Sequence, residues 1–343
     1  MDAQAQPASP PHAGGAPAPD RNLAMELVRT TEYAALACAR WIGRGDKEGA
    51  DAAAVDAMRL LLDTVSMDGV VVIGEGEKDE APMLYNGEQI GDGSPPAVDI
   101  AVDPLEGTEL CAKGLPNAIA TIALSERGTM FDPGPCVYMM KMATSRDMAH
   151  LLDPDRPLGE MLELMAKEKG VPVGDLVVIM LDRPRHDDFM AEIREVGARI
   201  RLIPHGDVSA ALVAVTQGSP VDLLYGIGGT PEGVLAAAAI QCTGGQILGR
   251  LWPRSEEERS AALEAGYDLD EVLDKDRLVS GKDVFFAATG VTDGEMLEGV
   301  RFIGPQGAET ESISMRSRSG TVRTITARHD RAKLREITSQ RLG

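Results

Sequence analysis

The chain has 343 residues, 43% apolar and 26% charged, enough for a large core in one big or two closely joined domains. A formal net charge of −20 leaves no material for a broad basic surface, which excludes nucleic acid as a partner. It also means that an anionic ligand is repelled unless cations mediate. Cys38, Cys111, Cys136 and Cys242 are scattered without a CxxC pair and read as reduced thiols of a cytoplasmic protein. No apolar run approaches the ~20 residues of a membrane span, and the N-terminus lacks a signal-peptide pattern.

Residues 1–20 are Ala, Pro and Gly with almost nothing to bury, and read as a disordered leader. An N-terminal α/β part is expected over 21–150 and a second over 151–343. In the first, NLAMELVRTTEYAALACARWIG has the apolar spacing of a helix that ends at Gly43. RGDKEGAD reads as a polar turn, and Asp51 as the N-cap of a second helix. Val70–Ile73 reads as a strand broken by Gly74, and residues 97–102 as another, ended by Asp103-Pro104. NAIATIAL and CVYMMKMA follow as strands. Such close succession predicts a mixed, partly antiparallel sheet.

The second half changes rhythm. DLVVIML, ARIRLIP and VDLLYGIGG read as strands, each followed by a helical segment, so parallel strands with crossover helices are expected. Ligands gather at the carboxyl ends of such strands. The unusual polar loops DRPRH, HGD and GIGGTPEG fall there. The charged stretch from Trp252 to Gly281 reads as exposed helix, and DVFFAATG as a strand. ESISMRSRSGTVRTITARH alternates on both sides of RSG, the pattern of a hairpin with a solvated basic face.

DPLEGT, residues 103–108, carries the sharpest chemistry. Pro104 suits the first position of a helical turn, which would set Glu106 on the same side as Asp103. Two like charges so placed call for a cation, and hard divalent ions want oxygen ligands of this kind. Gly107 lets a phosphate approach the backbone, and Thr108 adds a hydroxyl that can position water. GEGEKDE offers Glu75 at a strand end between glycines, and Asp79 as a residue that could hold the attacking water. Glu80 reads as a solvated acid. In TPEG, Thr230 can cap, Pro231 can start a helix, and Glu232 sits in its first turn, where glutamate also serves the helix dipole. Nothing local separates Lys47 from a surface lysine.

GEGEKDEAPMLYNGE, DPLEGT, RPRHD, GDV and YGIGGTPEGV, in this order, resemble the class II fructose-1,6-bisphosphatases, from about Asn22 to His329. DPLEGT alone points only to the wider lithium-sensitive phosphatase superfamily. The resemblance implies a layered α/β/α/β/α sugar-phosphatase fold and two or more Mn²⁺ or Mg²⁺ ions. It places Asp51 and Glu75 on one ion and Asp103, Glu106 and Glu232 on the other. Substrate contacts carry over to Glu106, Gly107, Thr108, Tyr138, Arg183, Pro184, Arg185, His205, Gly206, Asp207 and Gly229. Catalysis is implied at Asp79 and Thr108, with Lys47 as a weaker correspondence. Arg183 stands where the family commonly has lysine, and His205 where it often has aspartate.

The implied activity is hydrolysis of the 1-phosphate of fructose 1,6-bisphosphate, as in gluconeogenesis, by a homodimer or homotetramer. Two rivals are a dual fructose-1,6-/sedoheptulose-1,7-bisphosphatase and a metal-loaded sugar-phosphate sensor without turnover. The full set of carboxylates and Thr108 speak against the sensor.

Overall fold

A computed structural model describes residues 23–76 and 83–334. The leader and Asp79 lie outside the described residues. In chain order the first elements are α1 (Leu23–Cys38), α2 (Lys47–Leu62), β1 (Asp68–Ile73), β2 (Gln89–Ile90), β3 (Ala97–Glu106), α3 (Thr108–Lys113), β4 (Ile119–Glu126) and β5 (Tyr138–Thr144). The middle of the chain forms α4 (Leu158–Lys169), β6 (Val177–Leu181), α5 (Asp187–Glu195), β7 (Arg199–Ile203), α6 (Asp207–Val215), β8 (Leu223–Gly229), α7 (Thr230–Thr243) and β9 (Gln246–Leu251). The remainder is α8 (Glu256–Glu264), β10 (Leu273–Asp274), α9 (Lys275–Leu278), β11 (Phe285–Gly290), β12 (Arg301–Ile303), β13 (Gly307–Arg316) and β14 (Thr321–Asp330).

Two mixed sheets result. The first runs β12-β13-β11-β4-β3-β1-β2, with β14 added on β13. Its β1–β3 pair is parallel and its other pairs antiparallel. The second runs β10-β9-β5-β8-β6-β7. The parallel strands expected from strand–helix alternation are β7, β6 and β8, and the other half of that sheet is antiparallel. The sheets do not follow a division near residue 150: β5 joins the second, and β11 to β14 return to complete the first.

The layers are α/β/α/β/α. Leu27, Ala34, Ala54 and Met58 of α1 and α2 pack on Ile100, Ile122 and Phe285 of the first sheet. Leu162 and Met165 of α4 and Ile193 of α5 cover Val178 and Met180 on the far face of the second. Between the sheets lie α6 and α7. Every residue of α6 is buried, and so is the run Gly233–Ile240 of α7. A helix with apolar neighbours on both sides cannot carry a polar stripe, which is why VLAAAAI has none.

Three local expectations are corrected. Asp46, not Asp51, caps α2: its carboxylate accepts from Gly49 N–H at 2.8 Å, and the helix starts inside the supposed polar turn at Lys47. Gly229, not Thr230, stands at the N-cap of α7, and the Thr230 hydroxyl donates to the Cys136 carbonyl at 3.0 Å. The Trp252–Gly281 stretch holds α8 and α9 but also strand β10. All four cysteines are free and buried.

Candidate active site

DPLEGT does not form the helical turn expected of it. β3 continues through Asp103 to Glu106. On a regular strand, residues three apart face opposite sides. Here Asp103 pairs with Thr121 and Glu106 with Ile119, so residues 103–106 lie opposite only 119–121. That one-residue bulge turns both carboxyl groups to the same side, where they hydrogen-bond each other. Gly107, at φ +84°, then reverses into α3, and Thr108 opens that helix.

Strand ends deliver the rest. Glu75 follows β1, and Asp51 comes from the second turn of α2. Arg183 and Arg185 follow β6, His205 to Asp207 follow β7, and Gly229 ends β8 three residues before Glu232, which lies in the first turn of α7. Tyr138, at the start of β5, pairs with Gly229 across the sheet. Of the described residues expected in the site, all but one line a single cavity of about 660 Å³ between the two sheets, Lys47, Gly107 and Thr108 among them. Pro184 is the exception: it opens the 3-10 turn that carries Arg185, and it is not on the cavity wall.

The acids repel one another. Burial, then the Asp51 charge, pushes Glu75 up to about 8. Burial raises Asp103 far above the carboxylate range, with Glu106 and Glu75 adding to it. Burial and then Glu232 bring Glu106 to about 7, although Glu106 Oε1 accepts from Val208 N–H at 3.0 Å. Burial also raises Asp51 and Glu232. Carboxyl groups raised in this way hold their protons more tightly than free acids do, or take up cations in their place.

The opposite wall is internally satisfied. The Arg185 guanidinium donates twice to the Ile227 carbonyl, at 2.8 and 3.1 Å, and stacks 5.1 Å from the Tyr138 ring centre. Arg183 donates to the carbonyls of Asp182 and Pro204 at 2.8 and 2.7 Å. His205 Nε2 lies 3.2 Å from Glu109, and burial, with Arg183 nearby, holds its pKa below the usual value. Buried His186 pins β6 to β8: Nδ1–H donates to Leu181 O at 2.7 Å, and Nε2 accepts from Ile227 N–H at 2.8 Å.

Residues 21–329 match the family described as "Bacterial fructose-1,6-bisphosphatase, glpX-encoded". The chain is 43% identical over 335 residues to the "D-fructose 1,6-bisphosphatase class 2/sedoheptulose 1,7-bisphosphatase" of Synechococcus sp. (strain JA-3-3Ab), covering 90% of this chain and 96% of that one. It is also 43% identical over 322 residues to the "Fructose-1,6-bisphosphatase 1 class 2" of Escherichia coli (strain K12), covering 90% and 95%. The chain belongs to the class II fructose-1,6-bisphosphatase family. Members of that family are phosphatases of sugar bisphosphates and as a class depend on metal. No helix among the described residues is long and apolar enough to cross a membrane.

A class II site needs donors for hard cations, and the chemistry of the donor set fits. All five candidates are carboxylates, the oxygen donors that hard cations take, and burial raises the pKa of each. Among the described residues no three of them are close enough, as they stand, to grip one ion together. Asp103 and Glu106 hydrogen-bond each other, and each also feels the charge of Glu232.

Two features of this class II site escaped the sequence reading. Lys141, in the middle of β5, is buried against Asp207. Arg254 stacks 5.3 Å from the Tyr138 ring centre while paired to Glu258, so two guanidinium groups flank that ring. A lone lysine inside the apolar run YMMKMAT was the available signal for the first. The second lies far from every motif, and no local pattern marks it.

Proposed function

We propose that this chain hydrolyses the 1-phosphate of fructose 1,6-bisphosphate, giving fructose 6-phosphate and phosphate, with Mn²⁺ or Mg²⁺, as a cytoplasmic homodimer or homotetramer. One observation carries the reading: a cluster of carboxyl groups that lack positive charge and a pair of anchored arginines line the same cavity. A sugar bisphosphate carries about −4 at neutral pH. It needs a cationic clamp at the phosphate that stays and charge neutralisation at the phosphate that leaves.

Asp51, Glu75, Asp103, Glu106 and Glu232 are the residues that would hold the ions. Divalent cations bound there supply charge neutralisation at the transferring phosphoryl group and lower the pKa of water. The chain's own groups do the positioning, which in phosphoryl transfer carries most of the rate. Arg183 and Arg185 grip the 6-phosphate with forks already oriented by backbone carbonyls. The Gly107 backbone admits the reacting phosphate, and the Thr108 hydroxyl orients the attacking water. Asp79 accepts the proton of that water. Tyr138, His205 and Asp207 face the sugar hydroxyls.

The test is phosphate release from fructose 1,6-bisphosphate with Mn²⁺, with Mg²⁺ and with a chelator. Metal-dependent release supports the reading, and tight binding without release points to a sensor. The name of the Synechococcus relative favours a second substrate, sedoheptulose 1,7-bisphosphate. A side-by-side assay of the two sugars decides between single and dual activity.

A further inference from the structure

Among the described residues Lys141 is the only buried lysine or arginine, at 2% exposure. Desolvating an ammonium group is expensive, and an apolar side chain like those of buried Met139 and Met142 would fill a bystander position on β5 more favourably. The Lys141 side chain reaches from β5 to two other elements. Its Nζ lies 2.6 Å from Asp207 Oδ2, in the first turn of α6. It also donates to the Gly229 carbonyl at 2.9 Å, at the end of β8 and the N-cap of α7.

The neighbouring glycines are shaped to this arrangement. A Cβ at Gly228 would overlap Asp207 Oδ2 and stand 3.1 Å from Lys141 Cε. A Cβ at Gly229 would overlap the Glu232 carboxylate. Lysine, aspartate and the glycine pair therefore form one packed unit, whose cavity-facing members are Asp207, Gly228, Gly229 and Glu232. Lys141 itself does not line the cavity.

We propose that Lys141 is a positioning residue for the phosphatase reaction. Through the ion pair it holds the Asp207 carboxylate aimed at the sugar. Through the Gly229 carbonyl it fixes the start of α7 and hence Glu232. This inference rests on the proposed function for its substrate, and on geometry alone for its coupling of Asp207 to Glu232.

The experiment compares full-length wild type with K141M, D207N and the K141M/D207N double variant. It reads kcat and KM for fructose 1,6-bisphosphate, Mn²⁺ affinity by calorimetry and thermal unfolding. K141M is expected to raise KM about tenfold with a smaller fall in kcat, and to weaken Mn²⁺ binding several-fold. The double variant should regain thermal stability, because neither charge is left buried alone, while its KM stays no worse than that of D207N. Where K141M does not fold, the double variant decides: a KM like that of D207N supports the proposal. A wild-type KM and Mn²⁺ affinity in K141M or in the double variant overturns it, since Lys141 would then serve folding only. If wild type releases no phosphate, the substrate reading falls. The Mn²⁺ affinities still show whether Lys141 acts on the carboxylate cluster.

Discussion

The first sheet and the arginine side of the second offer opposite charges to the cavity, while Asp207 and Glu232, which follow β7 and β8 of the second sheet, add acid to it. On the first, Asp51, Glu75, Asp103 and Glu106 present carboxyl groups alone; burial raises the pKa of each, and neighbouring acids add to it at Glu75, Asp103 and Glu106. On the second, Arg183, Arg185 and His205 have partners already, in backbone carbonyls and Glu109. One wall is satisfied without a ligand and the other is not. A phosphate could settle against the second wall unaided. It could approach the first only with cations between, which is how a chain of net charge −20 can take an anionic sugar.

The comparison breaks most completely at the unsatisfied wall. Removing divalent ions with a chelator should abolish phosphate release, and Mn²⁺ or Mg²⁺ should restore it. The same ions should raise the melting temperature, by the equivalent of roughly 2.7 kcal/mol at a hundredfold excess over Kd. Activity that survives exhaustive chelation would mean that the carboxylates serve something else. Next in size comes Asp103→Ala, which should lower kcat by about 10³-fold or more, the scale of losing one preorganised electrostatic element. Glu75→Ala should do the same. In both variants the metal-free protein should melt no lower than wild type, because a repelled buried acid has gone. Wild-type turnover in Asp103→Ala would show the site to be misplaced.

The satisfied wall should respond differently. If Arg185 holds the phosphate that does not react, as proposed, Arg185→Ala should raise KM about 10- to 100-fold and leave kcat nearly unchanged. Part of that loss would come through Tyr138, which the Arg185 guanidinium covers. A normal KM with a low kcat would move Arg185 from the staying phosphate to the reacting one.

How much of this was legible beforehand depended on whether a signal was local. Strand ends punctuated by glycine and acid, as at Gly74-Glu75 and Gly229 to Glu232, could be read directly, because the chain must stop pairing there and expose its next side chains. The alternation of β6, α5, β7, α6, β8 and α7 could be read because periodicity changes with each element. Asp103 and Glu106 were read as partners for the wrong reason. A helical turn and a bulged strand both bring residues three apart to one side, and sequence does not separate them. Asp46 and Asp51 both precede helix-forming residues, and sequence alone does not say which of them caps α2. The return of β11 to β14 to the first sheet and the Lys141–Asp207 pair depend on chain segments far apart in sequence, which no window of residues reports.

The smallest effect sharpens the contrast through pH. Glu75 at about 8 and Glu106 at about 7 sit above the ~4.3 of a free glutamate in an unfolded chain. An acid whose folded pKa is raised binds its proton more tightly when folded. Its contribution is therefore fully present below the unfolded value and is lost as pH climbs through the folded one. The metal-free protein should lose a few degrees of melting temperature between about pH 5 and pH 8. Glu75→Gln should flatten that slope, because an amide has nothing to ionise, and Arg185→Ala on the other wall should leave it in place. Saturating Mn²⁺ should remove the slope as well, since cations favour the ionised carboxylates. A metal-free wild type whose melting temperature instead rises across this window, with Glu75→Gln behaving alike, would mean that the acids are already compensated within the fold and that the two walls do not differ as described.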